Sequence, residues 1–546
     1  MSNWNFADVW EAVATTHPQR LAVVQGERQV TWSEFDARGD GVAAALIGAG
    51  LGYQAKVAQY LYNCPEYLES LFGAFKAGMV PVNTNYRYTE DELVYLWDNG
   101  DVEAVVFHDA FTPTIEAVRH RLPRIRLWLW VDKEGGTCPS WATAYAQVDP
   151  GGRGPGPVRA RWGRFGDDLL LIYTGGTTGM PKGVMWRQDD LFCILNRTAD
   201  VRYPETGGPG DVVEHLSAPA RRSVPRLLPA PPLMHGTGLF TAMSVLDSGG
   251  AIVLVPDHHF SAANLLDTVE RHRVTEVVIV GDVFAKPILA ELDAAPGRWD
   301  LSSLWLMISS GVMWSAEVKA GLARHHPPLL MVDSLGSSEA LGVAQSRSSG
   351  KHTAATAGFV LSADTRVLSS DGGDVEPGSG QSGLVAIRGR GPIGYYKDAE
   401  KSAATFRMID GVRWTIPGDH ATVEADGAVK LLGRGSVCIN TGGEKVFPEE
   451  VEEALKTHEA VLDAVVVGVA DPQYGEMVVA LVAPAPGRQI LEASLIAWIK
   501  QRLAGYKAPK HIIEVTTIGR APNGKVDYRR LTAHAAETLA AAAATL

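Results

Sequence analysis

An apolar run, DDLLLIY, leads directly into Tyr173–Trp186, YTGGTTGMPKGVMW. That is a strand ending in a loop of hydroxyls, bare backbone amides and one lysine. The loop carries Thr174, Gly175, Gly176, Thr177, Thr178, Gly179 and Lys182, with Gly183 behind the lysine. Such a loop suits a polyphosphate: glycines let N–H groups converge on anionic oxygens, and hydroxyls and an ammonium supply further donors. It is not the usual nucleoside-triphosphate loop, which sets its lysine beside the last glycine and a hydroxyl after it. Here Met180 and Pro181 intervene. The plain alternative is a Gly/Thr-rich surface turn without a ligand.

Strand-like and helix-like segments alternate along the chain. KVAQYLY, MVPVNT, AVVFH, LWLWV and VTEVVIV read as strands, PEYLESLFGAFKAG as an amphipathic helix, and AANLLDTVERHR as a helix capped by Ser261. This repetition predicts parallel sheets covered by helices, an α/β fold. With 546 residues the chain exceeds what one core supports, so a large part and a smaller one are expected. TCPSWATAYAQVDPGGRGPGPVRARWG and YPETGGPGDVVEHLSAPARRSVPR read as loops, the second equally as a lid or as a surface insertion. After about Arg434 the texture becomes α+β: PEEVEEALKTH and LEASLIAWIKQRL as helices, VLDAVVVGVADPQYGEMVVALVAP as two strands around a turn, HIIEV as a last strand and a helix-prone tail.

The formal charge of −12 gives no support for nucleic-acid binding, which calls for a basic stripe. The run Arg119, His120, Arg121, Arg124, Arg126 reads as a solvated face. Cys64, Cys138, Cys193 and Cys438 form no C-x-x-C pair, so neither a disulfide framework nor a zinc site is expected. No apolar stretch reaches about 18 residues and no secretory signal is present, which makes the cytoplasm the expected location.

Further on come PPLMHGTG, SSGVMW, DSLGSSEA, SGLVAIRGRGPIGYY, WTIPGDHA, GRGSVCINTGGEKVFPEEVE, LAGYKAPK and APNGKVDYR. In this order and at these gaps, together with the phosphate loop, they resemble the core motifs of the adenylate-forming superfamily of acyl- and aryl-CoA synthetases, luciferases and adenylation domains. The resemblance implies an N-terminal domain, residues 1–434, of parallel sheets flanked by helices plus a barrel-like subdomain. It also implies a small mobile α+β lid, residues 435–546, hinged near Ser436. It implies ATP, Mg²⁺ and coenzyme A, and two half-reactions, an acid joined to AMP and then a thiol displacing AMP.

Residue by residue, the resemblance makes Lys525, Glu339 and His235 catalytic, and gives Mg²⁺ to Glu339 and Thr174. It places Thr174–Gly179, Lys182, Gly311, Asp333, Ser334, Leu335, Gly336, Ser337, Ser338, Asp419 and Arg434 around ATP. The acyl pocket falls to His235, Gly238, Leu239, Gly281, Asp282 and Ser310, and the coenzyme A arm to Gly442 and Gly443. Three departures stand out: Leu335 where relatives often stack an aromatic on adenine, Ser436 where the hinge is often Asp or Lys, and Ile416-Pro417 before Gly418-Asp419. None removes a charge the chemistry needs.

Small residues in the pocket and no evident charge pair for an amino-acid substrate favour a hydrophobic acid, a medium- or long-chain fatty acid or a bulky steroid-side-chain acid. VGDVFAKP and GRGSVCINTGGEKVFPEEVE are similar to actinobacterial acyl-CoA synthetases. An adenylating enzyme that loads a carrier protein or takes an aryl acid stays open, as does a non-catalytic nucleotide sensor or scaffold. Lys182, Glu339, Asp419 and Lys525 speak against the last. A homodimer is compatible with all of these readings.

Overall fold

The structure is a computed structural model. It describes the chain except residues 1–3, 133–134, 149–157, 177–178, 199–201, 219–223, 313, 357, 370–371, 435–438, 442–443, 472–474, 504, 522–523, 525 and 545–546. Contacts divide it into two compact units. The first holds Met1–Gly175, Met180–Thr356 and Arg388–Thr415; the second holds Gly176–Gly179, Ala357–Ile387 and Ile416–Leu546.

In the first unit, one run of strands has the order Arg28–Thr31, Leu21–Gln25, Ala251–Leu254, Arg226–Pro229, Glu276–Ile279, Leu306–Ser310, Leu330–Leu335, Ala344–Ser348. It is parallel except at its two ends. The two-residue period of a strand sends Val23, Leu227, Ile252 and Val278 into one core and Val24, Leu228, Val253 and Val277 into another, on opposite faces. A second sheet orders Gly394–Tyr395, Gly179–Arg187, Leu169–Gly176, Val80–Asn83, Lys56–Tyr60, Val102–His108, Leu127–Val131 and Thr143–Ala144. The strands read from the sequence are present, and Ser261 Oγ accepts from Asn264 N at 3.3 Å, capping helix Ala262–Arg271.

Two expectations change. The helix Pro65–Lys76 is not amphipathic in its burial: all twelve residues are buried. Its polar stripe meets charges from distant segments. Lys76 Nζ lies 2.7 Å from Asp36, 2.8 Å from Asp40 and 3.2 Å from Glu11, and Glu69 accepts from the Tyr145 hydroxyl at 3.0 Å. The second Gly/Pro-rich segment is not all loop either. Pro209–Ser217 is a helix with proline in its first turn, where the missing N–H costs nothing. Its Val212 and Leu216, one turn apart, enter the core, and the Leu216 carbonyl lies 3.0 Å from His17 Nε2.

Three members of the basic run are ion-paired: Arg121 with Asp91 at 2.8 Å, Arg124 with Asp101 at 2.5 Å, Arg126 with Glu103 at 3.5 Å. Among the described residues Cys138 and Cys193 form no disulfide.

In the second unit, Gly358–Leu361, Val429–Arg434, Asp419–Val423, Ser382–Arg388 and Thr365–Leu368 form an antiparallel sheet. Further on, Val461–Asp471 pairs antiparallel with Gly475–Pro484, and His511–Glu514 adds parallel. Alternation again splits the long strand. Ala464 and Val466 pack with helices Pro448–Lys456 and Glu492–Lys500; Val465, Val467 and Val469 pack with helix Tyr528–Ala544.

Candidate active site

Four parallel strands of the first sheet end side by side. Pro229 pairs in register with Val278, Ile279 with Ser309, Ser309 with Asp333 and Ser310 with Ser334. Just past these ends lie Pro231–Gly238, Gly281–Asp282, Gly311 and Gly336–Glu339. The carboxyl edge of such a sheet is where α/β folds bind ligands, since exposed backbone and helix starts face outward there. So His235, Gly238, Gly281, Asp282, Ser310, Gly311 and the Asp333–Glu339 run share one edge.

Each turn at this edge has a physical reason. Gly281 and Gly311 adopt φ of +53° and +97°, a region costly to residues bearing Cβ. Gly281 N donates to Ser309 Oγ at 2.9 Å, tying adjacent strand ends. A Cβ at Gly238 would stand 2.9 Å from the Pro232 carbonyl, so only glycine lets helix Gly236–Asp247 start this close to the preceding turn. His235 occupies that helix's N-cap, and its N donates to the Pro232 carbonyl at 3.0 Å. Leu239 is buried in the core. Asp282 Oδ1 accepts from Ser315 N at 2.9 Å and Ser315 Oγ at 3.1 Å, with Lys286 at 3.7 Å.

Two asparagines that the sequence did not mark clamp this edge to the second sheet. Asn83 Nδ2 donates to the carbonyls of Tyr173 (3.0 Å) and Met234 (2.6 Å), and its Oδ1 accepts from Tyr173 N at 2.6 Å. Asn63 Oδ1 accepts from Leu233 N at 2.7 Å, and its Nδ2 donates to the Pro231 carbonyl at 3.3 Å. The strand leading to the phosphate loop and the PPLMHGTG turn are thus held by single neutral side chains. Gly183 serves packing: a Cβ there would lie 2.8 Å from the Tyr173 ring.

Glu339 is joined to the lysine of the loop through Tyr395, from the GYY of SGLVAIRGRGPIGYY. Tyr395 pairs in register with Val184, its hydroxyl donates to Glu339 Oε1 at 2.9 Å, and Lys182 Nζ lies 5.4 Å from its ring centroid. Lys182 is half-exposed, with Asp398 Oδ2 3.7 Å away. Trp186 Nε1 donates to the Ser338 carbonyl at 2.9 Å, and Ser337 N to the Ala340 carbonyl at 2.8 Å, which closes the turn carrying Glu339. Thr174 is half-buried, one residue beyond Tyr173. Asp333 is buried against Lys319, 3.5 Å away; burial pushes its carboxyl up to about 6 although the lysine pulls the other way.

In the second unit Asp419 and Arg434 face each other in register across two strands. Gly418 and Gly433 have φ of +96° and +117°, and a Cβ at Gly433 would strike the Glu449 carboxylate. Gly175, Gly176 and Gly179 lie on the strands of the phosphate loop. Thr177, Thr178, Ser436, Gly442, Gly443 and Lys525 lie outside the described residues. Among the described residues no group of three or more His, Cys, Asp or Glu side chains gathers to hold a metal. An apolar void of about 10 Å³ between Leu266, Ile288, Leu322 and Leu329 lies in a core and is too small for a ligand.

Residues 10–396 match the family described as AMP-binding enzyme, and residues 450–525 its C-terminal domain. The chain is 39% identical over 540 residues to a medium/long-chain-fatty-acid–CoA/3-oxocholest-4-en-26-oate–CoA ligase of Mycobacterium marinum, covering 96% of this chain and 95% of that one. It is 37% identical over 533 residues to a 3-oxocholest-4-en-26-oate–CoA ligase of Rhodococcus rhodochrous, at 96% and 95% coverage. Among solved structures, the anthranilate CoA ligase AuaEII with anthranoyl-AMP superposes with a TM-score of 0.80 at 22% identity, covering 99% of each chain, which shows a shared fold. The chain belongs to the AMP-binding enzyme family.

Proposed function

We propose that this protein is an AMP-forming acyl-CoA synthetase for hydrophobic carboxylic acids, medium- or long-chain fatty acids or bulky steroid-side-chain acids. The observation that carries the reading is the Lys182–Tyr395–Glu339 chain of contacts, where a half-exposed ammonium and a carboxylate share one aromatic scaffold. The ligases similar to this chain act on such acids by name.

In the first half-reaction a carboxylate oxygen of the acid attacks the α-phosphorus of ATP and pyrophosphate leaves with the electron pair. An anion meets a polyanion, so the step needs charge neutralisation more than covalent help. Lys182 offers its ammonium to the phosphates, and the hydroxyls and amides of Thr174–Gly179 add donors. Glu339 and Thr174 would hold a Mg²⁺ ion, which takes one or two carboxylates and otherwise phosphate oxygens and water; bound there, it would neutralise the phosphates. Glu339 fits that role because Tyr395 fixes one of its oxygens and so orients the other. Lys525 bridges acid and α-phosphate.

In the second half-reaction the thiolate of coenzyme A attacks the acyl carbon and AMP leaves. For this we assign residues 435–546 as a lid turning near Ser436, with Gly442 and Gly443 beside the pantetheine arm. Asp419 accepts from the ribose hydroxyls with Arg434 nearby; Gly311 and Asp333–Ser338 wall the adenine. The acyl tail lies along His235, Gly238, Leu239, Gly281, Asp282 and Ser310.

A panel of acids graded in length and shape, with AMP and thioester both measured, tests the reading. Acid-dependent AMP release with matching acyl-CoA is expected for apolar acids. AMP released only with a carrier protein as acceptor, or no acid-dependent pyrophosphate from any member, would overturn it.

A further inference from the structure

At the proposed adenine wall lies a buried charged pair whose lysine the chemistry above does not use. Lys319 sits one turn into helix Ala316–His325, only 1% exposed, with Asp333 Oδ2 3.5 Å from its Nζ and the Trp314 ring centroid at 5.6 Å. That separation is too long for a good hydrogen bond, and among the described residues Lys319 Nζ has no hydrogen-bond partner. Trp314 Nε1 and Ser346 Oγ are likewise buried without one among the described residues. Ser346 stands opposite Asp333 in register. Asp333 is the carboxylate within ion-pair reach of the Lys319 ammonium, and its charge decides how firmly that buried pair holds.

The same helix touches the acyl side. Ser315, just before its first turn, donates twice to Asp282. One short segment thus grips Asp282 past the end of one strand and Asp333 near the end of another. A buried ion pair contributes little net stability, but breaking it leaves an uncompensated charge that the surroundings must rearrange around.

We propose that Lys319 is a positioning residue for the nucleotide: it keeps Asp333 ionised and so fixes the Ser334–Ser338 wall, while Ser315 ties that wall to Asp282. This rests on the adenine assignment given above. The charged groups facing Asp333 are Lys319 from helix Ala316–His325 and Asp282 from helix Gly281–Ala294, the latter beside Lys286. The strands on either side present Ser309 and Ser346. Burial lifts the Asp333 carboxyl to about 6, so wall and pH are coupled. Above that value the carboxylate attracts the Lys319 ammonium; below it, protonation removes that attraction.

The test is AMP affinity by calorimetric titration of the full chain from about pH 5.5 to about pH 8, since binding is read without turnover. Wild-type affinity is expected to fall below about pH 6. Lys319→Met should weaken AMP binding about tenfold at neutral pH and move the fall to higher pH, because the lost cation raises the carboxyl further. Asp333→Asn should remove the pH dependence. Lys319→Met/Asp333→Asn should bind better than Lys319→Met alone, as no charge is left stranded. In turnover, Lys319→Met should raise KM for ATP more than it lowers kcat.

Wild-type affinity that does not change across the range, a pH dependence that persists in Asp333→Asn, or a double variant no better than the single would overturn the proposal. The first two readings need no Lys319 variant to fold. An enzyme that binds AMP as described but activates no acid would sink the proposed function and leave this inference standing.

Discussion

The cluster around Glu339 and the segment flanking residue 525 use charge in opposite ways. In the first, neutral groups do the fastening: Asn63, Asn83, the Tyr395 hydroxyl and Trp186 Nε1. Lys182 keeps a long contact with Asp398 and a ring face, and its ammonium stays half-exposed. In the second, charged groups do the fastening. Arg520 donates to both oxygens of Asp463 at 2.6 and 2.9 Å and to the carbonyls of Ala464 and Gly524. Tyr528 donates to Glu452 at 3.2 Å and Arg530 to the Ile518 carbonyl at 2.8 Å. Burial opposes ionisation of Asp463, yet the Arg520 hydrogen bonds, Lys456 and the Arg520 charge hold its carboxyl below the usual range. An ion committed to a tight internal partner has little left for a ligand. The contrast therefore separates charges that serve chemistry from charges that serve the fold.

The largest effect is expected at Lys525, proposed above to bridge the acid and the α-phosphate. Lys525→Ala should cut acid-dependent pyrophosphate release by a factor of about 10²–10³, the usual cost of one transition-state donor. Conversion of preformed acyl-adenylate and coenzyme A to thioester should survive. Equal loss of both halves would place Lys525 with the structural charges. Next comes Glu339→Gln, with a fall in kcat of about 10²-fold and a higher Mg²⁺ requirement. Tyr395→Phe, which removes only the group orienting that carboxylate, should raise the Mg²⁺ requirement about tenfold. If Tyr395→Phe matched Glu339→Gln in severity, Tyr395 would itself contact substrate.

These partners also mark where sequence reading stops. The strands Lys56–Tyr60 and Leu127–Val131 are evident because apolar runs report burial locally, and Ser261 because a cap lies beside its helix. Gly281, Gly311 and the Asp333–Glu339 run are evident as motifs, and topology then lines them up on one sheet edge. Asn83 gives no such signal: its bonds reach Tyr173 and Met234, 90 and 151 residues away. The burial of helix Pro65–Lys76 has the same cause, since the partners of Lys76 lie on other elements. Gly183 reads as a phosphate-loop glycine but makes room for Tyr173, a packing demand that composition does not distinguish from a ligand's.

A smaller effect is expected in the second unit. Arg520→Met leaves the Asp463 carboxylate only the longer contact with Lys456 and the Ala464 N–H, and should destabilise the protein by about 2–4 kcal/mol, read from urea unfolding of the full chain. The adenylation rate per folded molecule should fall less than for Glu339→Gln. A large kinetic loss with unchanged stability would mean that Arg520 faces substrate, and the division of charges would not hold.

The smallest effect tests the contrast from a third place. Asp247 is buried, and its Oδ1 accepts from Trp10 Nε1 at 2.8 Å. Burial pushes its carboxyl well above the usual carboxylate range, with the Trp10 bond opposing only in part. The folded protein therefore keeps a proton that the unfolded chain has released, so this group costs stability increasingly as pH rises from the ordinary value of 3.8 towards its folded one. Asp247→Asn retains a carbonyl acceptor for Trp10 and has no proton to lose. Its melting temperature should match wild type at acidic pH and equal or exceed it at neutral pH, with acid activation unchanged. A variant less stable than wild type at neutral pH would show that Asp247 is ionised there, and that a buried charge without a cationic partner can also serve the fold.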